Sequence, residues 1–231
     1  MKIGGFEVEE IISYTDMTSF ERMSLQHGMN FREDDSVFLM SRRPGAPYED
    51  SYDLQLNMMI YEGHDEPRRM GGPPPKSVDQ PLRPETRNRK FFDAAQELKS
   101  GERARPLQVR IYEKLKPGIW VFNGTFALDD AWTEEVGGRN VCKFGMSLLQ
   151  GVSAEFGAVE TPKLSHNRMI PSTVKQEVFR RDGGKCVLCG SRTNLHFDHD
   201  LPFTRGGTSL IPENIRLLCA THNLRKGAKI E

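Results

Sequence analysis

Two short patterns decide the fold of the last third of the chain: Cys186-Val187-Leu188-Cys189 and, after 29 intervening residues, Cys219-Ala220-Thr221-His222. Each pair has the tight-turn spacing that lets both side chains bind one ion, and four such ligands form the tetrahedral site typical of structural Zn²⁺. His196 is the rival fourth ligand. Because the interval exceeds that of a simple finger, the patterns predict a zinc-bound platform with a long insert.

The composition is that of a soluble globular protein. The 231 residues are 37% hydrophobic and 28% charged, which excludes a disordered chain, a collagen or a disulfide-stapled miniprotein. No run of about eighteen apolar residues is present, and the first ten residues do not resemble a signal peptide. We therefore expect a cytoplasmic protein without a membrane partner.

Charge is distributed unevenly along the chain. Residues 161–231 carry twelve Lys/Arg and six Asp/Glu, whereas residues 1–160 carry 20 and 26, although the whole chain is neutral. This asymmetry predicts two domains with different tasks, the basic one suited to nucleic acid. Three of the four cysteines fall in the basic segment, where clustering in a reducing compartment favours a metal over a disulfide. Cys142 stands alone and is predicted to be a buried apolar residue.

Hydrophobic periodicity predicts an α+β fold. Strands are expected at 37–40, 56–61, 107–112, 120–128 and 141–149, and helices at 91–98 and after Pro171. Residues 64–90 are rich in proline and arginine and are expected to form an exposed cationic loop. The predicted organisation is an N-terminal extension (1–32), a β-rich domain (33–150), a linker (151–170) and a C-terminal domain (171–231).

The insert between the cysteine pairs contains further candidate catalytic residues. It includes Asn194-Leu195-His196-Phe197-Asp198-His199-Asp200 and Glu213-Asn214-Ile215-Arg216, and His222-Asn223-Leu224-Arg225-Lys226-Gly227 follows it. With the cysteine pairs, segment 181–229 resembles the HNH nucleases of the ββα-metal fold, in the branch whose hairpin and helix are clamped by a zinc knuckle. The resemblance implies an endodeoxyribonuclease that hydrolyses phosphodiester bonds.

Roles follow from that resemblance, position by position. It implies that His199 is the general base, that Asp198 and Asn223 bind one catalytic Mg²⁺ or Mn²⁺, and that Asn214 orients His199. The structural Zn²⁺ is assigned to Cys186, Cys189, Cys219 and His222, although many relatives have cysteine at the last position. Candidate phosphate contacts in this domain are Arg205, Arg216, Arg225 and Lys226.

A second resemblance covers residues 33–150. Asp79-Gln80-Pro81-Leu82, Thr86 and Asn88, followed by Trp120-Val121-Phe122-Asn123-Gly124 and Ala131-Trp132, are similar to the motifs of SRA (YDG) domains. The family's Tyr-Asp-Gly block reads Phe-Asn-Gly here. The resemblance implies a PUA-like β-barrel that flips a modified cytosine, 5-methylcytosine or 5-hydroxymethylcytosine, out of double-stranded DNA.

A flipped base needs aromatic faces and a hydrogen-bond acceptor. By position, Tyr48 and Tyr61 are the stacking candidates and Asp50 is the candidate acceptor. Ser51, Tyr52 and Asp53 stay open as substitutes because the spacing is shifted by about one residue. The cationic loop and the following helix supply the candidate DNA-backbone contacts of this domain, which are Arg68, Arg69, Arg87, Arg89 and Lys90.

The two resemblances together imply a modification-dependent restriction endonuclease. Because one ββα-metal site cleaves one strand, we expect a homodimer, at least on DNA. Two alternatives remain open at this point: an HNH endonuclease that reads sequence or structure rather than modification, and a modified-DNA binding protein with a silent nuclease domain.

Overall fold

A computed structural model describes residues 5–42, 45–53, 58–66, 78–149, 169–202 and 205–227. The four α-helices in these ranges are α1 (Tyr14–Glu21), α2 (Arg87–Ser100), α3 (Ser172–Arg181) and α4 (Ala220–Lys226), and a 3₁₀ helix spans Pro212–Asn214. The strands are β1 (Glu10–Ser13), β2 (Met29–Asn30), β3 (Asp35–Met40), β4 (Ser51–Asp53), β5 (Met58–Glu62), β6 (Leu107–Lys116), β7 (Ile119–Val136), β8 (Arg139–Leu148), β9 (Leu195–His199) and β10 (Ile215–Cys219). The α+β prediction is confirmed.

The chain divides into two compact units that do not follow the predicted boundaries. The C-terminal unit combines Met1–Ser24, Glu113–Gly124 and Glu155–Glu231, and the central unit combines Leu25–Tyr112 and Thr125–Ala154. The predicted extension therefore contains part of a folded unit: β1 pairs antiparallel with both β9 and β7. Most of the predicted linker, residues 151–168, lies outside the described residues.

In the C-terminal unit, β10, β9, β1 and the beginning of β7 form an antiparallel sheet. Helix α3 buries Val174 and Val178 in a cluster with residues of these strands, including Phe197 and Leu217. Pro171 occupies the N-cap of α3, and no side chain caps the helix. Thr173 and Gln176, which have the spacing of a capping box, therefore lie within the helix and do not cap it.

A buried ion cluster joins the three segments of the C-terminal unit. The Lys175 ammonium is 0% exposed and lies 3.0 Å from Glu9 Oε2 and 3.4 Å from Glu113 Oε2. It also donates to Asn123 Oδ1 at 2.7 Å. Burial raises the pKa of Glu9, and the charge of Lys175 opposes that rise. Since an unpaired buried charge is costly, these contacts join α3 to the N-terminal segment and to 113–124.

In the central unit, β4, β5, β8 and the later part of β7 are consecutive antiparallel neighbours, and β2 pairs with β3. Thr86 caps α2 by accepting from the Arg89 N–H, and Gly101 ends the helix in the left-handed conformation. The helix buries Phe91, whose ring centroid lies 4.5 Å from that of Phe38. No helix of the described ranges is long and apolar enough to cross a membrane.

Candidate functional site

The four predicted zinc ligands converge in the C-terminal unit. One ligand atom from each of Cys186, Cys189, Cys219 and His222 lies within 4.8 Å of all the others. The two sulfurs of Cys189 and Cys219 are 3.8 Å apart, and His222 Nδ1 lies 3.2 Å from Cys219 Sγ. Tetrahedral Zn²⁺ with Zn–S bonds of about 2.3 Å requires sulfurs about 3.8 Å apart. The geometry and the soft donors therefore fit zinc.

Local backbone geometry builds this group. Gly190 has a left-handed φ of +72° and donates to the Cys186 carbonyl, which closes the turn between the first two cysteines. Cys219 ends β10 and is the N-cap of α4, so His222 follows on the first turn of that helix. His196, the rival ligand, lies on β9 opposite Glu10 and Leu218 and is outside the group.

The predicted catalytic pair lies at the end of β9. Asp198 and His199 stand opposite Arg216 and Ile215 of β10. His199 Nε2 lies 2.8 Å from the hydroxyl of Ser209, which is almost fully buried. Sequence reasoning did not identify Ser209, because a lone serine in a polar loop carries no pattern. The contact fixes the orientation of the imidazole.

Asn214 contacts the loop after β9. Its amide donates to the carbonyls of Leu201 and Thr208 at 3.2 and 2.8 Å, and its Oδ1 accepts from the Leu201 N–H at 2.8 Å. The described contacts of the Asn214 side chain are therefore with the backbone of this loop. Since Ser209 directly follows Thr208, Asn214 is linked to His199 only through this loop in the described contacts. Asn223, the second predicted metal ligand, is half-buried on α4.

Lys226, which was predicted to contact a DNA phosphate, instead lies inside the protein. It is buried, and its ammonium lies 2.5 Å from Asp198 Oδ2 and donates to the His199 carbonyl oxygen. Arg216 is also mostly enclosed and pairs with Asp200 at 3.1 Å. An ammonium held inside the protein cannot reach a DNA backbone, so the prediction for Lys226 is wrong.

The other residues predicted to contact the DNA backbone have exposed charged groups where the structure describes them. Arg89 forms an ion pair with Asp93 one turn along α2, at 2.7 Å. Arg68 and Arg69 lie outside the described residues. Of the remaining predicted DNA contacts, the structure leaves four exposed, which are Arg87, Lys90, Arg205 and Arg225.

In the central unit, the Asp-Gln motif and Asn88 hold the end of β5. Gln80 donates to the Gly63 carbonyl at 2.6 Å and accepts from the Cys142 N–H at 2.8 Å. Asn88 accepts from the His64 N–H and donates to the His64 carbonyl, both at 2.9 Å. A Cβ at Gly63 would lie 2.8 Å from the Cys142 Cβ, so this packing requires glycine. These motif residues fix the backbone at positions 63 and 64.

The three predicted base-pocket residues differ in accessibility. Tyr61 is 1% exposed, and its ring stacks on Phe38 with centroids 4.2 Å apart. The Tyr61 hydroxyl lies 2.9 Å from His64 Nε2. Tyr48 instead stacks on His64, with centroids 4.3 Å apart and planes 11° apart. The described contacts therefore pair Tyr48 with His64, a residue that sequence reasoning missed.

Asp50 lies at a shallow depression of about 380 Å³ on the central unit. Burial raises the pKa of its carboxyl from 3.8 to about 7, even though the Glu62 N–H donates to Oδ1 at 3.1 Å. Of the predicted substitutes, Ser51 lines the depression, whereas Tyr52 and Asp53 are half-buried on β4. The lining residues are Arg42, Gly45, Ala46, Tyr48, Glu49, Asp50 and Ser51.

Comparison with known proteins gives only structural neighbours. No family model and no curated protein sequence matches the chain. The SRA domain of SUVH5 bound to fully hydroxymethylated CG DNA is 21% identical with a TM-score of 0.46, covering 65% of this chain and 93% of that one. Its complex with methylated CHH DNA gives the same values. Arabidopsis thaliana SUVH6 with SAM is 17% identical with a TM-score of 0.40, covering 65% of this chain and 26% of that one.

Proposed function

We propose that the protein is a modification-dependent DNA endonuclease, in which the central unit reads a modified cytosine and the C-terminal unit cuts. The observation that carries the proposal is the arrangement of the C-terminal unit. Two antiparallel strands and the short helix that follows them carry the Asp198–His199 pair and residues of the Cys₃His group, the order of elements that the HNH resemblance implies.

The cutting step needs a deprotonated water and a stabilised phosphate. His199 accepts the proton from water, and Ser209 holds its ring at 2.8 Å. The carboxylate of Asp198 and the amide of Asn223 are hard oxygen donors of the kind Mg²⁺ and Mn²⁺ prefer, so they fit as ligands. A divalent ion at these ligands would neutralise charge on the phosphate. The zinc group has no water-activating role, because four protein ligands close its coordination.

The reading step is assigned to Tyr48, His64 and Asp50. A flipped cytosine presents two π faces, and aromatic rings are the side chains that stack on them. Asp50, beside Tyr48, can accept a hydrogen bond from the exocyclic amine when it is ionised. The modified group would lie in the adjoining depression. Exposed arginines of α2 and of the C-terminal unit neutralise DNA phosphates.

Because one site cuts one strand, the proposal includes a homodimer, at least on DNA, in a reducing cytoplasmic setting.

A nuclease that ignores modification is the second candidate, and one observation favours it. Tyr61 is buried, and Tyr48 and His64 are in direct contact, so a base pocket needs rearrangement before it can accept a base.

Short duplexes discriminate between these functions. One duplex contains 5-methylcytosine, one 5-hydroxymethylcytosine and one cytosine at a single site, and each is titrated with the protein in Ca²⁺ and then incubated in Mg²⁺ or Mn²⁺. The proposal predicts tighter binding and cleavage of the modified duplexes only. Equal cleavage of all three supports the second candidate, and selective binding without cleavage supports a silent nuclease domain.

A further inference from the structure

Lys226 is a buried cation placed directly on the proposed metal ligand. It is the last residue of α4 and is only 1% exposed. Its ammonium lies 2.5 Å from Asp198 Oδ2 and also donates to the carbonyl of His199, so it contacts both residues of the catalytic pair. Because this nitrogen is enclosed, its influence on the site is exerted through Asp198 and the His199 carbonyl rather than by contact with phosphate.

Within the described residues, the ionic contacts of Asp198 and of the neighbouring Asp200 involve two cations. Arg216 is the second cation, with Nε 3.9 Å from Asp198 Oδ2 and Nη1 3.1 Å from Asp200. Two carboxylates are thus matched by two cations. A divalent ion approaching this group meets no net negative charge, and attraction to a neutral cluster is weak.

We propose that Lys226 is an internal counter-cation that keeps the divalent-metal affinity of the free protein low, so that tight metal binding requires the negative charge of DNA phosphate. The inference rests on the proposed function, because Asp198 is taken as the metal ligand. Lys226 acts as a positioning residue: it sets the charge of the site without touching substrate.

Two variants separate the positive charge of Lys226 from its hydrogen bonds to Asp198 and His199. Lys226→Gln retains a neutral donor for Asp198 and His199, and Lys226→Met removes both charge and donor. Mn²⁺ binding to the zinc-loaded full chain, without DNA, is followed by electron paramagnetic resonance. Lys185→Gln, at an exposed position, is the matched control, and Asp198→Asn identifies the signal from this site. Thermal unfolding shows which variants are folded.

The expected result is that Lys226→Gln binds Mn²⁺ about tenfold or more tightly than the natural protein, because one positive charge is gone from within contact of the ligand. Adding an uncleavable duplex should tighten Mn²⁺ binding more in the natural protein than in this variant. Unchanged or weaker Mn²⁺ binding by a folded Lys226→Gln or Lys226→Met overturns the inference. The readout needs no cleavage, so failure of the proposed nuclease activity is seen separately.

Discussion

The ring of Tyr48 lies parallel to the imidazole of His64, with centroids 4.3 Å apart. His64 is held by Asn88 at its backbone and by the Tyr61 hydroxyl at its ring. Gly28 also limits the ring, because a Cβ there would lie 2.1 Å from His64 Cε1. A base between the two rings needs about 7 Å, twice the contact distance of carbon atoms. Entry of a base therefore requires the two rings to separate, and Tyr48 is also held, because its hydroxyl accepts from the Asp65 N–H at 3.1 Å.

Removal of the Tyr48 ring tests this stacking role. Tyr48→Ala should lower affinity for a 5-methylcytosine duplex about tenfold, the effect of one base–aromatic stack, and leave affinity for the unmodified duplex unchanged. Tyr48→Phe keeps the ring and should stay close to the natural protein. Fluorescence anisotropy measures both. Equal losses on modified and unmodified duplexes would show that Tyr48 does not read the modification.

The buried carboxyl of Asp50 predicts a pH-dependent stability. Its pKa is raised from 3.8 to about 7 by burial, so the folded state binds a proton that the unfolded state has released between these values. The resulting stabilisation is present at low pH and is lost as pH rises through about 7. Asp50→Asn should therefore gain about 3 kcal/mol relative to the natural protein between pH 5 and pH 8. Urea unfolding at both pH values measures this, and a constant difference would refute it.

The sequence predicted the Cys₃His group because its two pairs depend on short, local spacings, whereas the catalytic roles of Asp198 and His199 stay predictions. Cys186, Cys189, Cys219 and His222 meet as expected, and Cys142 is buried as predicted. Strand β1 was missed because its four residues gain stability only from partners more than a hundred residues away. The place of Lys226 was missed for a related reason. A lysine near a nuclease motif suggests phosphate, and only the tertiary structure shows that Asp198 is its partner.

Loss of one ligand should release the metal and unfold the C-terminal unit. Cys219→Ser removes the sulfur that lies close to both Cys189 Sγ and His222 Nδ1. Because binding energy of a structural zinc is also folding energy, the variant should contain less than one zinc per chain and lose amide protection in 195–226. Zinc is counted with a chromogenic chelator, and protection is measured by hydrogen exchange. Ser191→Ala, a neighbouring hydroxyl outside the group, is the control. Full zinc content in Cys219→Ser would contradict the assignment.

The buried cluster around Lys175 should be a major source of stability. Lys175→Met leaves Glu9 and Glu113 without their shared cation, and breaking a buried ion pair in this way costs about 3–5 kcal/mol. The exposed Lys185→Met should change the free energy of unfolding by less than about 0.5 kcal/mol. Denaturant titration measures both variants. A loss below about 1 kcal/mol for Lys175→Met would mean that the carboxylates are neutral or solvated instead.

Selective reading of modified cytosine and cutting by His199 are tested together by one plasmid experiment. The same plasmid is prepared with cytosine, 5-methylcytosine or 5-hydroxymethylcytosine and incubated with the protein in Mg²⁺ and in Mn²⁺, beside His199→Ala. We expect cleavage of the modified plasmids only, with at least about a hundredfold loss of cleavage in His199→Ala because the general base is removed. Equal cleavage of the unmodified plasmid, or full cleavage by His199→Ala, would contradict this expectation.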